Sequence, residues 1–228
     1  VTIFKAKKNN IFELSKTTWP ISIGYFYQLA TFTLNYNIGD EYKVMGMSAY
    51  GKNKFLKFFK KCFFINKKGN FKFKKNSYLN IKYFNDTKYN QLFFTEKFLK
   101  LIKKPTQDKF EQVHFDFAKS IQSLVEALGL KLSNWAYLKN KCNNLCISGG
   151  VALNGLMNNK ILNESKYKNI YVYAASGDDG TAVGAAQYIF MKYKKFLTRK
   201  KISQVFLGYE DKYINKKNYV KKKIGNNL

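Results

Sequence analysis

The sequence predicts an α/β protein, and three observations carry that prediction. Two short apolar runs, residues 145–147 and 170–173, each end in a polar glycine turn and continue into small and apolar residues, the pattern of a strand, a turn and a helix. Residues 109–140 place Val113, Phe117, Ile121, Leu124, Val125 and Leu128 three and four positions apart, the spacing of one buried helix face. Residues 62–84 alternate apolar residues with lysine around Lys68-Gly69-Asn70, which signals a hairpin.

Taken in order, residues 1–17 form an incomplete edge. Residues 17–35 have helical spacing at Ile23, Phe26, Tyr27, Ala30 and Leu34, with Pro20 expected in the first turn. Residues 39–52 are glycine-rich and predict a loop with a short helix. The hairpin at 62–84 ends in a further extended piece, and the lysine-rich residues 86–110 predict a surface helix and loop. Gly129 is a candidate break in the long helix. The second strand-turn-helix unit ends in a helix from Thr181 to Tyr193, and the lysine-rich residues 196–228 predict a linker and tail.

Composition excludes several classes. The chain has 228 residues, 46% of them hydrophobic, enough for a real core and too apolar for global disorder. No run approaches the length of a membrane span, so no membrane partner is expected. The net charge of +27 suggests a polyanion partner, but Arg199 is the only arginine. Groove readers and phosphate clamps favour the arginine fork, so a lysine excess accompanied by many Asn, Ile, Phe and Tyr indicates coding bias and solvated faces, without specific nucleic-acid binding. Three cysteines, Cys62, Cys142 and Cys146, suit a reducing cytoplasm, and buried or half-buried thiols are expected.

Two glycine stretches compete as a phosphate site. Gly46-Met-Ser-Ala-Tyr-Gly51-Lys52 fits G-x-x-x-x-G-K, but Asn53 stands where a magnesium-binding Ser or Thr belongs, and the preceding residues are too polar for a buried strand. The other is "NLCISGGVALN", residues 144–154, partnered by "AASGDDGTAVGAA", residues 174–186. Two such turns in tandem bring two helix starts toward one anion. Ala182, Gly184, Ala185 and Ala186 let the second helix approach its neighbours closely. Asp178 and Asp179 either cap that helix or offer hard oxygen ligands.

These segments resemble the carbamoyltransferases of the nodulation-protein and antibiotic-tailoring type. "DEYKVMGMSAYGK" is similar to that family's E-x-K-V-M-G-L-x-x-Y-G segment, "SIGYFYQLATFTL" to the helix before it and "GNFKF…YLNIKYF" to its hairpin. "HFDFAKSIQSLVE", residues 114–126, resembles its H-x-D-x-A-x-S-x-Q helix. The resemblance covers roughly residues 18–190 in the family's order. It implies an actin-like ATPase (ribonuclease H-like) fold, mostly its second half with an added β-hairpin. A partial transfer domain at 18–195 and a linker at 196–228 would then lead into a separate adenylate-forming domain.

The resemblance also implies an activity. Carbamoyl phosphate and ATP give a carbamoyl adenylate, which the actin-like domain binds beside a divalent metal, usually iron, before passing the carbamoyl group to a hydroxylated small-molecule acceptor. Mapped here, Ser148, Gly149 and Gly150 cradle the nucleotide phosphates with Asn154 beside them. Glu41 faces the ribose, Lys43 faces phosphate, and Asp178 is the metal-ligating aspartate. The family's paired histidines and first phosphate loop would lie upstream of residue 1, and His114 is expected to pack or to be solvated. The chain is therefore expected to be an internal piece, or the product of a disrupted gene, and inactive by itself. A tRNA threonylcarbamoyladenosine synthase-like enzyme and a non-catalytic nucleotide-binding remnant are the alternatives.

Overall fold

A computed structural model describes residues 1–7, 10–82, 91–106 and 109–193 of the chain. Arg199 and the expected linker at 196–228 lie outside the described residues, as do parts of the hairpin and lysine-rich segments, at 83–90 and 107–108. The chain divides into one unit spanning Val1–Val183 and a second spanning Gly184–Leu228, of which residues 184–193 are described.

The elements are β1 (Thr2–Lys7), β2 (Asn10–Lys16), α1 (Ile23–Thr33), α2 (Glu41–Met47), α3 (Leu56–Cys62), β3 (Phe63–Ile65), β4 (Phe71–Phe73), β5 (Leu79–Lys82), β6 (Gln91–Phe94), α4 (Glu96–Ile102), α5 (Gln112–Lys139), β7 (Asn144–Ile147), α6 (Gly155–Glu164), β8 (Asn169–Val172) and α7 (Thr181–Tyr193). Three antiparallel pairs, β1–β2, β3–β4 and β5–β6, stand beside one parallel pair, β7–β8. The α/β expectation holds.

The centre of the first unit is α5, which packs against α1, α2, α3 and α6. Phe117, Ile121, Leu124, Val125 and Leu128 are buried as their spacing predicts, and Val113 is partly buried. Around Phe117 stands a set of aromatic rings. Phe98 meets Phe117 at 5.4 Å between centroids and Phe94 at 4.8 Å, while Phe59 meets Phe26 edge-on at 5.6 Å. Such tilted and edge-to-face pairs add roughly 0.5–1.5 kcal/mol each beyond the area they bury.

Unlike an ordinary amphipathic helix, α5 also buries His114, Asp116, Ser120 and Gln122. Each is bonded to another segment. The Nδ1 of His114 accepts from the Glu111 N–H (2.8 Å), which leaves Nε2 to donate to the Lys103 carbonyl beyond α4 (2.7 Å). Asp116 Oδ1 accepts the Lys52 N–H (2.8 Å). Ser120 Oγ accepts the Phe55 N–H (2.9 Å).

Several sequence expectations are corrected. Pro20 lies ahead of α1, whose N-cap is Ser22, the acceptor of the Tyr25 N–H at 3.4 Å. Gly129 does not break α5. A Cβ there would meet Met157 at 2.8 Å and Ile161 at 3.3 Å, so its bareness admits α6. The hairpin at Lys68-Gly69-Asn70 forms as β3–β4, and the extended piece expected after it forms as β5, which pairs with β6. At the start of the chain β1 and β2 pair antiparallel, and the end of β2 and the residue after it are tied down where Asn70 Nδ2 donates to the Lys16 carbonyl and the Phe71 N–H reaches Thr17 Oγ1. Cys146 is exposed, contrary to the expectation of buried or half-buried thiols, because β7 presents it outward. Cys62 is buried, which pushes its thiol up to about 12.

Gly51 shows why the G-x-x-x-x-G-K match has no need of phosphate. A Cβ at Gly51 would lie 1.8 Å from the Phe115 carbonyl oxygen, so the glycine lets the chain touch the α5 backbone before Lys52 reaches Asp116. Gly51→Ala therefore destabilises the chain by roughly 2–4 kcal/mol. Gly46→Ala, in a helix with open space at its Cβ, stabilises it by roughly 0.5–1 kcal/mol. Thermal melts of the two variants check the opposite signs. The Cys62 thiol gives a second expectation. The unfolded chain ionises it from its ordinary value of 9.0, whereas the folded chain holds the proton to about 12. Its contribution is complete below 9 and is lost as pH rises across that window, so the denaturation midpoint of wild type falls there and that of Cys62→Ala falls less.

Candidate functional site

The two glycine turns leave the carboxyl ends of adjacent parallel strands. In the β7–β8 register Ile147 faces Val172, so residues 148–150 and 173–177 emerge side by side. In open α/β sheets this end of the strands is where ligands bind. The turns are joined directly. The Gly149 N–H donates to the Ser176 carbonyl at 2.8 Å, and Ser148 Oγ donates to the same oxygen at 3.4 Å. Ser176 is itself buried, with its hydroxyl bonded to the Tyr173 carbonyl. Both turns, which are 28 residues apart in sequence, therefore open at one mouth.

Glycine is required at two places for different reasons. Gly149 has φ 97° and ψ 160°, a region essentially closed to other residues. Gly180 lies against the chain it has just left, where a Cβ would meet the Ala175 carbonyl oxygen at 2.0 Å. Gly150, by contrast, has open space at its Cβ, and Ser148, Gly149 and Gly150 are all exposed.

The helix does not begin at the glycines. A 3-10 turn, Gly150–Leu153, intervenes before Asn154 caps α6. Asn154 Oδ1 accepts the Met157 N–H (2.9 Å) and Gln122 Nε2 (3.0 Å), while Nδ2 donates to Gln122 Oε1 (2.8 Å). Three of its four hydrogen-bonding positions are thus spent inside the fold, and the side chain is buried. The Gly149 N–H is similarly spent on Ser176. Of this loop, Ser148 and the neighbouring backbone remain on the exposed surface.

Glu41 opens α2, where a carboxylate suits the positive end of the helix. Two residues on, Lys43 Nζ is 2.9 Å from Asp40 Oδ1 and 5.2 Å from the centre of the Tyr36 ring. The hydrogen bond from Lys43 holds the Asp40 carboxyl below its ordinary value. Burial raises the Tyr27 phenol furthest, and the charges of Glu126 and Glu41 raise it further.

Asp178 and Asp179 are exposed on a 3-10 turn, Asp178–Gly180, that runs into α7, and the Asp178 carbonyl accepts Thr181 Oγ1 at 2.5 Å. Among the described residues no three His, Cys, Asp or Glu side chains gather to hold a metal. The donors present do not by themselves fit the expected iron. His114 is remote from this role, with both ring nitrogens bonded.

The residues missed by sequence reasoning are Gln122, Tyr27 and Ser176. Gln122 was visible as the last position of H-x-D-x-A-x-S-x-Q. The other two had no signal, because Tyr27 sits among ordinary apolar positions and Ser176 acts through its carbonyl.

With this geometry in hand, comparison with known proteins identifies the family. The profile described as "Carbamoyltransferase N-terminus" matches residues 2–187. The chain is 33% identical over 180 residues to protein sll1178 of Synechocystis sp., covering 77% of this chain and 28% of that protein. It is 30% identical over 168 residues to protein MJ1058 of Methanocaldococcus jannaschii, covering 72% and 25%. It is 24% identical over 188 residues to nodulation protein NolO of Bradyrhizobium diazoefficiens, covering 82% and 32%. The chain thus spans between a quarter and a third of the length of these relatives. It belongs to the carbamoyltransferase family, by that family's N-terminal domain.

The mouth makes one local prediction. Gly180→Ala forces the second turn off the Ala175 carbonyl and destabilises the chain by roughly 2 kcal/mol or more, whereas Gly150→Ala leaves the melting temperature near wild type. Equal losses in the two variants would contradict the packing described.

Proposed function

We propose that this carbamoyltransferase chain is the portion that receives a carbamoyl adenylate and supports transfer of its carbamoyl group to a hydroxyl of a small molecule. The observation that carries the reading is the Gly149–Ser176 hydrogen bond, which gives both glycine turns a common mouth at the ends of the parallel strands. In this reading carbamoyl phosphate and ATP supply the adenylate elsewhere in the polypeptide. Residues 18–195 form the transfer domain, with the second half of an actin-like ATPase fold, and residues 196–228 form the linker.

Each residue then has a task. Ser148 and the exposed backbone at Gly149 and Gly150 hold phosphate, where oriented donors steady the charge that develops on the leaving group. Gly149 does so by its shape, since its N–H is bonded to Ser176. Asn154 lies beneath, setting the loop. Glu41, at the start of α2, takes the ribose hydroxyls. Lys43 reaches phosphate by exchanging Asp40 for it, a low-cost exchange because exposed ion pairs contribute little. Orienting the acceptor hydroxyl against the carbamoyl carbonyl supplies rate by proximity.

Asp178 is proposed as one hard oxygen ligand for a divalent cation, iron by family expectation, whose remaining ligands come from outside the described residues. A cation bound there would polarise the carbamoyl carbonyl. In the full-length protein Asp178→Ala removes bound iron and abolishes carbamoyl transfer to a panel of hydroxylated acceptors, while ATP–pyrophosphate exchange dependent on carbamoyl phosphate continues. Metal content by elemental analysis is the deciding measurement. Stoichiometric iron in the variant would place the ligand elsewhere.

A further inference from the structure

We infer that Gln122 is a positioning residue for the mouth: from the interior of α5 it sets the far end of the loop 148–154, of which Ser148, Gly149 and Gly150 are the exposed part. Four observations lead there. First, Gln122 is fully buried on a stretch of α5 flanked by apolar Ile121, Leu124 and Val125. A buried amide without partners is costly, so its retention at such a site depends on complete pairing.

Second, the pairing is complete. Oε1 accepts the Tyr27 hydroxyl (2.9 Å) and Asn154 Nδ2 (2.8 Å). Nε2 donates to Asn154 Oδ1 (3.0 Å) and Glu126 Oε1 (2.9 Å). Gln122 and Asn154 therefore face each other as a two-bond amide pair, which fixes mutual orientation in a way that one hydrogen bond or an apolar contact does not.

Third, Asn154 is the hinge between the loop and α6. Its side chain caps α6 at Met157, and its N–H returns to the Val151 carbonyl at 3.0 Å. Turning this amide moves the end of the loop and the start of the helix together.

Fourth, the loop's other end is fixed independently, by Gly149 on Ser176. Ala152 is buried and Val151 packs against the core, so apolar contacts hold the loop's depth. They are non-directional. The rotation of the exposed part is set by polar posts, Ser176 at one end and Gln122 through Asn154 at the other, with Asn158 Nδ2 donating to the Ala152 carbonyl at 2.7 Å between them.

The positioning role stands on this geometry alone. Only its consequence for nucleotide binding rests on the proposed cleft, and the test separates the two. In the full-length protein, hydrogen exchange is read by mass spectrometry over 148–154, α5 and α6 for wild type, Gln122→Met and Tyr27→Phe, and the rate of carbamoyl transfer from added carbamoyl adenylate is measured alongside. Gln122→Met keeps length and removes all four bonds. It speeds exchange in the loop about tenfold while α5 stays at the wild-type rate. Tyr27→Phe, which deletes one donor, produces a smaller rise in the same segment and carries the test if Gln122→Met does not fold.

Unchanged loop exchange in the folded variants overturns the inference, since Gln122 would then only fill volume. A rise shared equally by α5 and α6 overturns it as well, because the loss would be global. A faster loop with slowed transfer from added carbamoyl adenylate supports both the inference and the cleft. A faster loop with transfer from added carbamoyl adenylate at the wild-type rate supports the positioning role and removes the adenylate from this mouth.

Discussion

A helix enclosed on several sides has nowhere to send its polar side chains except to other parts of the protein, and α5 is such a helix. It packs against five other α-helices, so an unpartnered polar group on it would remain buried and cost stability. Instead, four of its buried polar residues each reach a different segment, while Ser133 Oγ donates to the Gly129 carbonyl within α5. His114 closes the end of α4, Asp116 holds the residue after Gly51, Ser120 holds the start of α3, and Gln122 joins α1 to the entry of α6. The H-x-D-x-A-x-S-x-Q spacing is the sequence form of this arrangement. None of these four residues needs to touch a substrate to be indispensable to the fold.

This arrangement connects the core to the mouth. The segment containing Glu41 and Lys43 is secured where Gly51 meets the α5 backbone and Asp116 takes the Lys52 N–H. The loop containing Ser148, Gly149 and Gly150 is secured where Asn154 meets Gln122. Two segments more than a hundred residues apart are thus referenced to one rigid helix, a favourable support for a binding surface made of exposed backbone. The same design explains why residues expected at phosphate turn inward. Asn154 and the Gly149 N–H are consumed in holding the loop, which leaves its outer surface to Ser148 and the glycine backbone.

The acidic turn has a different character. Asp178 and Asp179 are exposed, and the turn is shaped by Gly180 against Ala175 and by Thr181 on the Asp178 carbonyl. Among the described residues, backbone packing places the carboxylates and no ion pair engages them. A carboxylate without such a partner takes a cation or a cationic group directly, whereas a paired one would first have to give up its partner.

The sequence by itself determined the elements whose signals are local. Three- and four-residue spacing marked α5, two-residue alternation around Gly69 marked β3–β4, and the glycine turns after two apolar runs marked β7, β8 and the mouth. These signals are legible because periodicity and backbone freedom belong to neighbouring residues. The five ordered segments also carried the family. Only the tertiary structure decided what depends on contacts between distant residues: that Gly129 is a point of contact and not a break, that β5 pairs with β6, that Asn154 and Gly149 spend their donors inside, and that Gln122 and Tyr27 stand behind the loop. A side chain's hydrogen-bonding capacity is written in the sequence, but its partner is fixed by which surfaces meet, and α5 is where they meet.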